Sequence, residues 1–527
     1  MHLSDHDLRQ LDEPYLDTLT PGQARTLLSK ALEDLKAARE RLGQNPSNSS
    51  RPPSTRAPWE QQEAQERETE APAAGVAEEA DGAAGPKEEA RREQGPGPRP
   101  GTGKGKAPAG RPGRRKGAPG HSRTQVLPID AERLHGPTCC AACGEALDES
   151  HESRVYTGRH EIDLIAPPGG QQGLVLQQTR HLYVERRCGC GHWSRAQPGR
   201  GGEEADGEWT VALSEWHVAG GTLVAFICAL TQRMRLSRAR VQELLHDWLG
   251  LSLSTATLNQ CVHEAARALE PAVEQEILAT VRRAEVLYAD ETSWKERGRL
   301  LWLWVFTCAT ATLFVVGPRT RAMVQRVLGA AFAGWLMSDG YAAYRDLDER
   351  LRCLAHLIRK ARGLEECLDP CGQRFGRQVQ ETIATVMAAV YAAREGPPGV
   401  DLLRARHAPV LDALLAACQQ HREARHLPTR ALARELLNDW NTYWLVLEQP
   451  DLPLTNNEAE RALRHWVIAR RIGMGTRTPQ GTKAFALLAS VIETCRKRAV
   501  SPWPYIAEVV RRRRQGLSVP PLPQPVT

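Results

Sequence analysis

Between Gln44 and Thr124 the chain has almost no large apolar residues, and this tract limits where a folded core can form. A segment of this composition cannot bury enough apolar surface to offset the entropy lost on ordering, so residues 44–125 are predicted to be a disordered linker. Acidic residues concentrate in its first half, whereas its second half is basic and rich in Gly and Pro. Folded structure must therefore come from a short N-terminal segment and from the chain after residue 126.

The N-terminal segment, residues 1–43, is predicted to contain one helix. Thr20 and Pro21 form a typical helix start. Leucines then follow at near-heptad spacing: Leu28, Leu32, Leu35 and Leu42. This pattern fits a coiled coil that joins two copies of the chain, and it fits equally well a helix that packs on its own domain.

The first residues of the chain lack the basic and apolar regions of a signal peptide, which predicts a cytoplasmic protein. In a reducing compartment, clustered cysteines are interpreted as metal ligands before disulfides. The uncharged stretch 300–318 has the length of a membrane span, but its middle is polar and turn-like. Its two apolar halves, Leu301 to Phe306 and Leu313 to Val316, favour two buried strands, so we expect no membrane segment.

Two groups of cysteines lie within residues 126–205. A Cys-Cys-x-x-Cys group is separated from a Cys-x-Cys group by the strand-like stretch LVLQQTRHLYVERR. Since structural zinc favours four soft ligands in a closed tetrahedral site, we predict structural Zn²⁺ held by Cys140, Cys143, Cys188 and Cys190. Cys139 and His192 are alternative ligands, and a degenerate site that has lost its metal is the alternative interpretation.

Residues 206–283 are predicted to be helical. A helix that ends at Gly250 is followed, after a four-residue turn, by a second helix that Ser254 caps. This arrangement is typical of a helix-turn-helix, whose second helix enters the major groove of DNA. The DNA contacts would come from the start of that helix: Thr255, Thr257, Asn259 and Gln260. Two packed helices without a DNA role are at least as common.

Two apolar, strand-like runs end in an aspartate. EVLYADET contains Asp290, and AGWLMSDGYAAY contains Asp339. Far downstream, PLTNNEAERALRHW is predicted to begin a helix with Thr455 as its cap and Glu458 as its capping-box partner. Glu460 lies off the apolar face of this helix and can project into a site.

Three separated acids suit phosphodiester cleavage by two divalent ions about 4 Å apart, because such ions need hard carboxylate ligands from several directions. Asp290 would bridge both ions, Asp339 would hold one and Glu460 the other. A second interpretation is equally good from spacing alone. In it the two aspartates merely end strands, and Glu460 pairs with Arg464 at helical i,i+4 spacing.

Four segments in order, ADET, SDGYAAY, CLAHLIRKAR and TNNEAERALR, closely resemble the signatures of the insertion-sequence sixty-six family of bacterial transposases. The similarity extends to NPSNSSRPPS (residues 45–54), to the basic Gly/Pro-rich tract and to the cysteine-bearing segment, so it covers most of the chain. Each piece is weak alone, but the ordered set is highly specific. The long acidic linker and the Arg-rich tail depart from the family pattern.

The resemblance implies an α/β fold with an RNase H-like catalytic core, a mixed sheet with helices, over residues 284–350 and 453–500. An all-helical insertion over residues 351–452 would interrupt this core. The Arg-rich composition of residues 501–527, and not the resemblance, predicts a basic C-terminal tail. The zinc-binding segment of the family falls on the cysteine groups. Its DDE triad, which would hold two Mg²⁺ (or Mn²⁺) ions, falls on Asp290, Asp339 and Glu460.

Polar and cationic side chains flank the predicted site. Cys353 and His356 have metal-ligand spacing, but we favour a helix face on which His356 and Arg359 approach the DNA backbone. A further group around Glu460 is predicted to hold phosphates: Asn456, Asn457, Arg461, Arg464, Arg470 and Arg471. The excess of 59 Arg over 10 Lys agrees with a nucleic-acid partner, although genome bias also explains it.

The hypothesis is a DDE transposase that binds the terminal inverted repeats of its element, hydrolyses a strand at each end and joins the freed 3′-hydroxyl to target DNA. We expect a homo-oligomer on transposon-end and target DNA, with small accessory proteins of the same element, in the nucleoid region of a bacterial cytoplasm. Two alternatives are a zinc-containing DNA-binding protein without catalysis, either a regulator or a decayed transposase, and an RNase H-like nuclease that cannot join ends.

Overall fold

The computed structural model of the chain describes residues 15, 18–44, 48, 128–167, 172–196, 218–396 and 402–525. The predicted linker, including its basic tract, lies outside these residues except at positions 44 and 48, and residues 206–217 of the predicted helical region also lie outside them. The described residues form two separate sheets and many helices, so the predicted mixed α/β class is confirmed.

Helix α1 (Pro21–Gly43) begins where the sequence predicts. Thr20 caps it, because the Gln23 backbone N–H donates to Thr20 Oγ1 while the Thr20 N–H donates to Gln23 Oε1 at 3.0 Å. No described residue within the helix is buried, and the four leucines at near-heptad spacing are exposed. Self-association through this face stays a prediction.

The cysteine-bearing part of the chain forms a four-stranded sheet of β1 (Ala131–His135), β2 (Ser153–Ile165), β3 (Val175–Arg187) and β4 (Trp193–Arg195). Strand β3 is central and pairs with the other three, parallel to β1 and antiparallel to β2 and β4. It covers most of the strand-like stretch that the sequence places between the two cysteine groups.

Four helices precede the second sheet: α2 (Gly221–Cys228), α3 (Arg238–Leu249), α4 (Thr255–Pro271) and α5 (Leu278–Arg282). Two π-helical segments extend α2 and connect α4 to α5. As predicted, α3 ends at Gly250, which adopts a left-handed φ of 59°, and Ser254 caps α4 by accepting from the Thr257 N–H at 3.1 Å. The predicted pair of helices is confirmed, whereas its DNA role remains a prediction.

The second sheet contains five strands: β5 (Val286–Glu296), β6 (Arg299–Thr307), β7 (Thr312–Gly317), β8 (Trp335–Ser338) and β9 (Arg350–Arg352). Their order is β7-β6-β5-β8-β9, in which β6 is antiparallel to both β5 and β7, while β8 and β9 run parallel to β5. The uncharged stretch 300–318 forms β6 and β7, as predicted. Among the described residues no helix is long and apolar enough to cross a membrane.

Helix α6 (Arg321–Leu328) connects β7 to β8. A run of helices follows β9: α7 (Leu354–Glu365), α8 (Pro370–Glu395), α9 (Leu403–His421), α10 (Leu427–Asn438) and α11 (Trp440–Trp444). These helices enclose a hydrophobic core of their own, which includes Phe375, Leu414 and Trp444.

The chain then returns to the second sheet with α12 (Asn457–Gly473), α13 (Pro479–Lys497) and α14 (Pro502–Arg514). Helix α13 packs on the edge strand β7, where Ser490 Oγ accepts from the Phe314 N–H at 2.8 Å and Thr494 Oγ1 accepts from the Thr312 N–H at 3.0 Å. These hydroxyls satisfy backbone groups that a sheet edge leaves unpaired. Arg514, within the predicted basic tail, is buried and makes two hydrogen bonds to Glu264.

Candidate active site

Asp290 and Asp339 lie side by side on neighbouring parallel strands. The register of β5 and β8 pairs Val286 with Trp335 and Tyr288 with Met337. Continuing this register by two residues places Asp339, the first residue after β8, opposite Asp290 within β5. Two carboxylates 49 positions apart in sequence are thus brought to one end of the sheet by strand pairing alone.

The Asp290 carboxyl lies in an unfavourable environment for a negative charge. Burial, followed by the nearby charges of Asp339 and Glu291, raises the pKa of Asp290 well above its usual range, and Glu460 adds to the effect. A single hydrogen bond from the Glu291 backbone N–H, at 2.8 Å, opposes this shift. Asp339 Oδ1 accepts from the Tyr341 N–H at 2.9 Å, which fixes the second carboxylate.

Glu460, in the first turn of α12, extends towards this pair and is held by residues of α7. Arg359 donates to Glu460 Oε1 at 3.0 Å, and His356 Nε2 lies 3.6 Å from the same oxygen. Burial, together with the charges of Arg359 and Lys360, lowers the pKa of His356 to about 3, so its ring is neutral near pH 7. The ion pair of Glu460 is therefore made with a distant arginine, and the alternative pairing with Arg464 is not the one that the structure shows.

The start of α12 differs from the sequence prediction. The helix begins at Asn457 with Asn456 in the cap position, so the prediction of Thr455 as cap is wrong. Glu458 is not a capping-box partner either, since its carboxylate accepts from Lys497 at 3.0 Å and from Arg461 at 3.3 Å. The physical reason is that the fully buried Asn456 donates its side-chain amide to the Ala289 carbonyl at 2.8 Å. This bond ties the start of α12 to β5 immediately before Asp290.

A fourth carboxylate, which sequence reasoning did not select, lies behind the aspartates. Glu291 is buried and accepts from Arg319 Nη2 at 2.7 Å and from the Tyr344 hydroxyl at 2.6 Å. Arg319 is itself stacked between the rings of Trp302 and Tyr341. Burial and the Asp339 charge raise the pKa of Glu291 to about 7. The available signal was a second acid directly after Asp290, where the apolar run VLYA ends.

The predicted DNA-contacting residues fall into two groups. Asn457, Arg461, Arg464 and Arg471 are exposed on α12, as are Thr255, Asn259 and Gln260 on α4. The others are engaged within the protein. Arg470 donates to Thr292 Oγ1 at 2.9 Å, and Thr257 is partly buried at the α4 cap. Arg359 and Asn456 make the hydrogen bonds to Glu460 and to the Ala289 carbonyl described above. The first group can reach a ligand in solution, whereas the second shapes the site.

The four cysteines predicted as zinc ligands lie together. Their sulfur atoms are all within 4.8 Å of one another, with Cys140 Sγ 3.7 Å from Cys190 Sγ and Cys143 Sγ 3.4 Å from Cys188 Sγ. Four thiolates about 2.3 Å from a tetrahedral zinc ion would be separated by about 3.8 Å. A hydrogen bond from the Cys143 backbone lowers the pKa of Cys140 to about 6, which favours the thiolate that a metal requires. The pKa of Cys188 is raised instead, because its hydrogen bond to Glu145 and burial outweigh the hydrogen bond from the Cys190 backbone. All thirteen cysteines are free thiols.

Residues 217–484, about half of the chain, match the family model of the Transposase IS66 family. The chain belongs to the IS66 family of transposases. Relatives of this transposase include the uncharacterized protein y4jD of Sinorhizobium fredii (strain NBRC 101917 / NGR234), 25% identical over 421 residues that cover 72% of this chain and 75% of that protein. The uncharacterized protein y4jO of the same organism is 36% identical over 77 residues, or 15% of this chain and 23% of that protein.

The match spans α3, α4, the five-stranded sheet, the helices α7 to α11, and α12. It therefore covers all three acids of the site described above. Membership of the family makes the chain a transposase, which implies DNA as a binding partner and a general dependence on divalent metal ions.

Proposed function

We propose that this transposase is a DDE enzyme whose catalytic carboxylates are Asp290, Asp339 and Glu460. The observation that carries the proposal is the convergence of these acids from β5, from the end of β8 and from α12, in a site where burial and the charges of Asp339 and Glu460 raise the pKa of Asp290. The strand order β7-β6-β5-β8-β9, three antiparallel strands joined to two parallel ones, supports the RNase H-like core that the family resemblance implies.

The donor set fits divalent metal ions. Carboxylate oxygens are the hard ligands that Mg²⁺ and Mn²⁺ prefer, and crowded carboxylates gain most from a cation placed between them. Two Mg²⁺ ions bound here would activate an attacking oxygen and stabilise the leaving oxygen in phosphodiester cleavage. Asp290, whose pKa responds to the charges of both other acids, would hold the ions together with Asp339 and Glu460.

Residues around the triad hold it in place. Arg359 orients Glu460, and Asn456 anchors the start of α12 to β5, so that the helix-borne acid keeps a fixed relation to the strand-borne pair. The buried network of Glu291, Arg319 and Tyr344 supports the sheet behind Asp290. The cations Arg461, Arg464 and Arg471 are exposed on α12 and would contact DNA phosphates near the acids.

Other parts of the chain would bind the transposon ends. Helices α3 and α4 have the arrangement of a helix-turn-helix, and the start of α4 presents Thr255, Asn259 and Gln260 to solvent. The cysteine cluster would hold a structural Zn²⁺ ion that stabilises the four-stranded sheet. The protein would act as a homo-oligomer on terminal inverted repeats and target DNA in the bacterial nucleoid region, with or without small accessory proteins.

The proposal is tested by strand cleavage and strand transfer on duplexes that carry the inverted repeats of the element, with Mg²⁺ present. Asp290→Ala and Glu460→Ala should each lower the cleavage rate at least about 10³-fold, which corresponds to about 4 kcal/mol of activation free energy, while gel-shift binding is retained. Glu458→Gln is the matched control, since it neutralises an acid two positions from Glu460 on the same helix that points to Lys497 instead.

Normal cleavage by either alanine variant would rule the triad out. Cutting without joining would indicate a nuclease of the same core, and binding without metal-dependent cutting would indicate a non-catalytic regulator or decayed transposase. Binding itself should weaken steeply as salt rises, because the complex must neutralise DNA phosphates.

A further inference from the structure

A group of side chains of the types that bind metal ions lies outside both the acid site and the cysteine cluster. Glu40, Cys367 and His426 place one oxygen, one sulfur and one nitrogen within 4.8 Å of one another. Glu40 belongs to the last turns of α1, Cys367 follows α7, and His426 immediately precedes α10. This cluster of three side chains thus joins three segments that are remote in sequence.

The distances in this group are close to those of a metal site. Glu40 Oε2 lies 2.9 Å from His426 Nε2, whereas an oxygen and a nitrogen bound to one tetrahedral zinc ion lie about 3.3 Å apart. Moving the two atoms apart by a few tenths of an ångström would therefore give them the separation that a shared zinc ion requires. Cys367 is buried and completes the triangle with a soft donor. Two of these donor types, thiolate and imidazole, are those that zinc binds most often in proteins.

Each of the two polar ligands is oriented by a second partner. His426 Nδ1 lies 2.7 Å from the hydroxyl of the fully buried Thr429, which leaves Nε2 turned towards Glu40. The other carboxylate oxygen of Glu40 accepts from the Leu368 N–H at 3.0 Å. Outer partners of this kind fix the ring and the carboxylate of metal ligands in proteins. Gly372 leaves room for them, since a Cβ there would lie 2.8 Å from Thr429 Oγ1 and 3.0 Å from Cys367 Sγ.

We propose that Glu40, Cys367 and His426 bind a Zn²⁺ ion that fastens the end of α1 to the helices α7, α8 and α10. Three protein ligands leave the fourth tetrahedral position for water. The ion would hold the exposed leucine face of α1 in a fixed direction relative to the rest of the chain. This proposal does not depend on the catalytic role of the three acids.

The chain just after α1 supports a fixed junction. Asn48 is buried, and its side-chain amide donates to Glu366 Oε2 at 2.6 Å. Its carbonyl approaches α7 so closely that a Cβ at Gly363 would lie 2.0 Å from it. Asn48, five residues after the end of α1, thus packs on α7 and bonds to Glu366, the neighbour of Cys367.

The test is zinc content measured by mass spectrometry on the full-length chain, expressed with added zinc and dialysed against metal-free buffer. The wild type should contain two zinc ions per chain, one in the cysteine cluster and one in this site. Cys367→Ser and His426→Ala should each contain one. Cys371→Ser is the matched control and should retain two, because Cys371 is an exposed thiol four residues from Cys367 and lies outside the group.

A variant that preserves the shape of the junction covers the case in which Cys367→Ser or His426→Ala fails to fold. Glu40→Gln can still accept from the Leu368 N–H but is a poor zinc ligand, so it should fold and lose one ion. Cys143→Ser should lose the ion of the cysteine cluster, and this result would show that the two ions occupy different sites. A wild type with a single zinc that Cys143→Ser removes would overturn the proposal and leave Glu40 and His426 as an ion pair. Two ions that survive in Cys367→Ser, His426→Ala and Glu40→Gln would overturn it equally.

Discussion

The two sheets of this transposase carry two clusters of ligand atoms that are built in opposite ways. The four thiols come from two tight turns about 45 residues apart, and few other buried apolar side chains surround them. The three acids come from two strands and a helix that span 170 residues, on a sheet embedded in the largest hydrophobic core. The thiol cluster is local in sequence and weakly packed, whereas the acid cluster is brought together by the tertiary fold.

This difference predicts that metal binding contributes differently to the stability of the two sheets. A small hydrophobic cluster cannot stabilise the cysteine-bearing turns alone, so the ion must supply much of their folding free energy. The acids need no ion to come together, because strand pairing and the core already place them, and without a cation they repel one another. On the proposed function, the thiols would therefore serve structure in one sheet and the carboxylates chemistry in the other.

Removal of zinc from the cysteine cluster should have the largest effect. Zinc bound to four thiolates contributes roughly 10 kcal/mol or more in small metal-dependent domains, so Cys143→Ser should unfold residues 131–195 locally. Hydrogen exchange followed by mass spectrometry should show loss of amide protection in β1 to β4 and unchanged protection in β5 to β7. Equal loss in both sheets would contradict the comparison, and Cys371→Ser should change neither.

Substitution of Asn456 should have a smaller effect on the acid site. Asn456→Ala removes the buried hydrogen bond to the Ala289 carbonyl and leaves that acceptor unpaired, which should lower the free energy of unfolding by about 2 kcal/mol. Urea denaturation measures this change. Asn457→Ala alters the exposed neighbouring position, and we expect a change within about 0.5 kcal/mol. If the two variants were equally stable, Asn456 would not be the anchor of α12.

Much of both clusters could be predicted from the sequence because the decisive signals are local. The cysteine spacing identified the four thiols that the structure groups, and the ends of two apolar runs identified the adjacent aspartates. The partners of these residues could not be predicted in the same way. Arg359 reaches Glu460 across 101 residues, and Glu40 reaches His426 across 386, so neither pair leaves a periodic pattern.

The incorrect cap of α12 has a specific physical cause. TNNE fits a capping box that starts at Thr455, and local rules favour that assignment. The tertiary contact of Asn456 with β5 outweighs it, so the helix begins at Asn457 without a side-chain cap. Local helix signals are least reliable where a side chain near the helix start is needed elsewhere in the fold.

Neutralising one acid should stabilise the metal-free protein, in contrast to the loss of a thiol. Asp290→Asn removes a half-buried carboxyl whose charge is opposed by Asp339 and Glu460, and we expect it to raise the free energy of unfolding by about 1–2 kcal/mol in EDTA. Mg²⁺ should then raise the melting temperature of the wild type but not of the variant. A variant less stable than the wild type in EDTA would show that the acids are not mutually repulsive.

The smallest effect that we predict is the response of the four-stranded sheet to mild acid. Burial and the charge of Arg159 lower the pKa of His181, in β3, to about 4, although Glu161 partly opposes this shift. Because the unfolded chain has a histidine pKa near 6.5, it binds the proton more readily, and stability is lost as the pH falls from about 6.5 towards 4. Allowing for partial solvent screening, we expect a loss of about 1 kcal/mol between pH 7 and pH 5, measured by amide protection in β2 and β3 corrected for intrinsic exchange rates. His181→Gln should flatten this dependence. An unchanged slope in that variant would assign the acid sensitivity to other groups in the sheet.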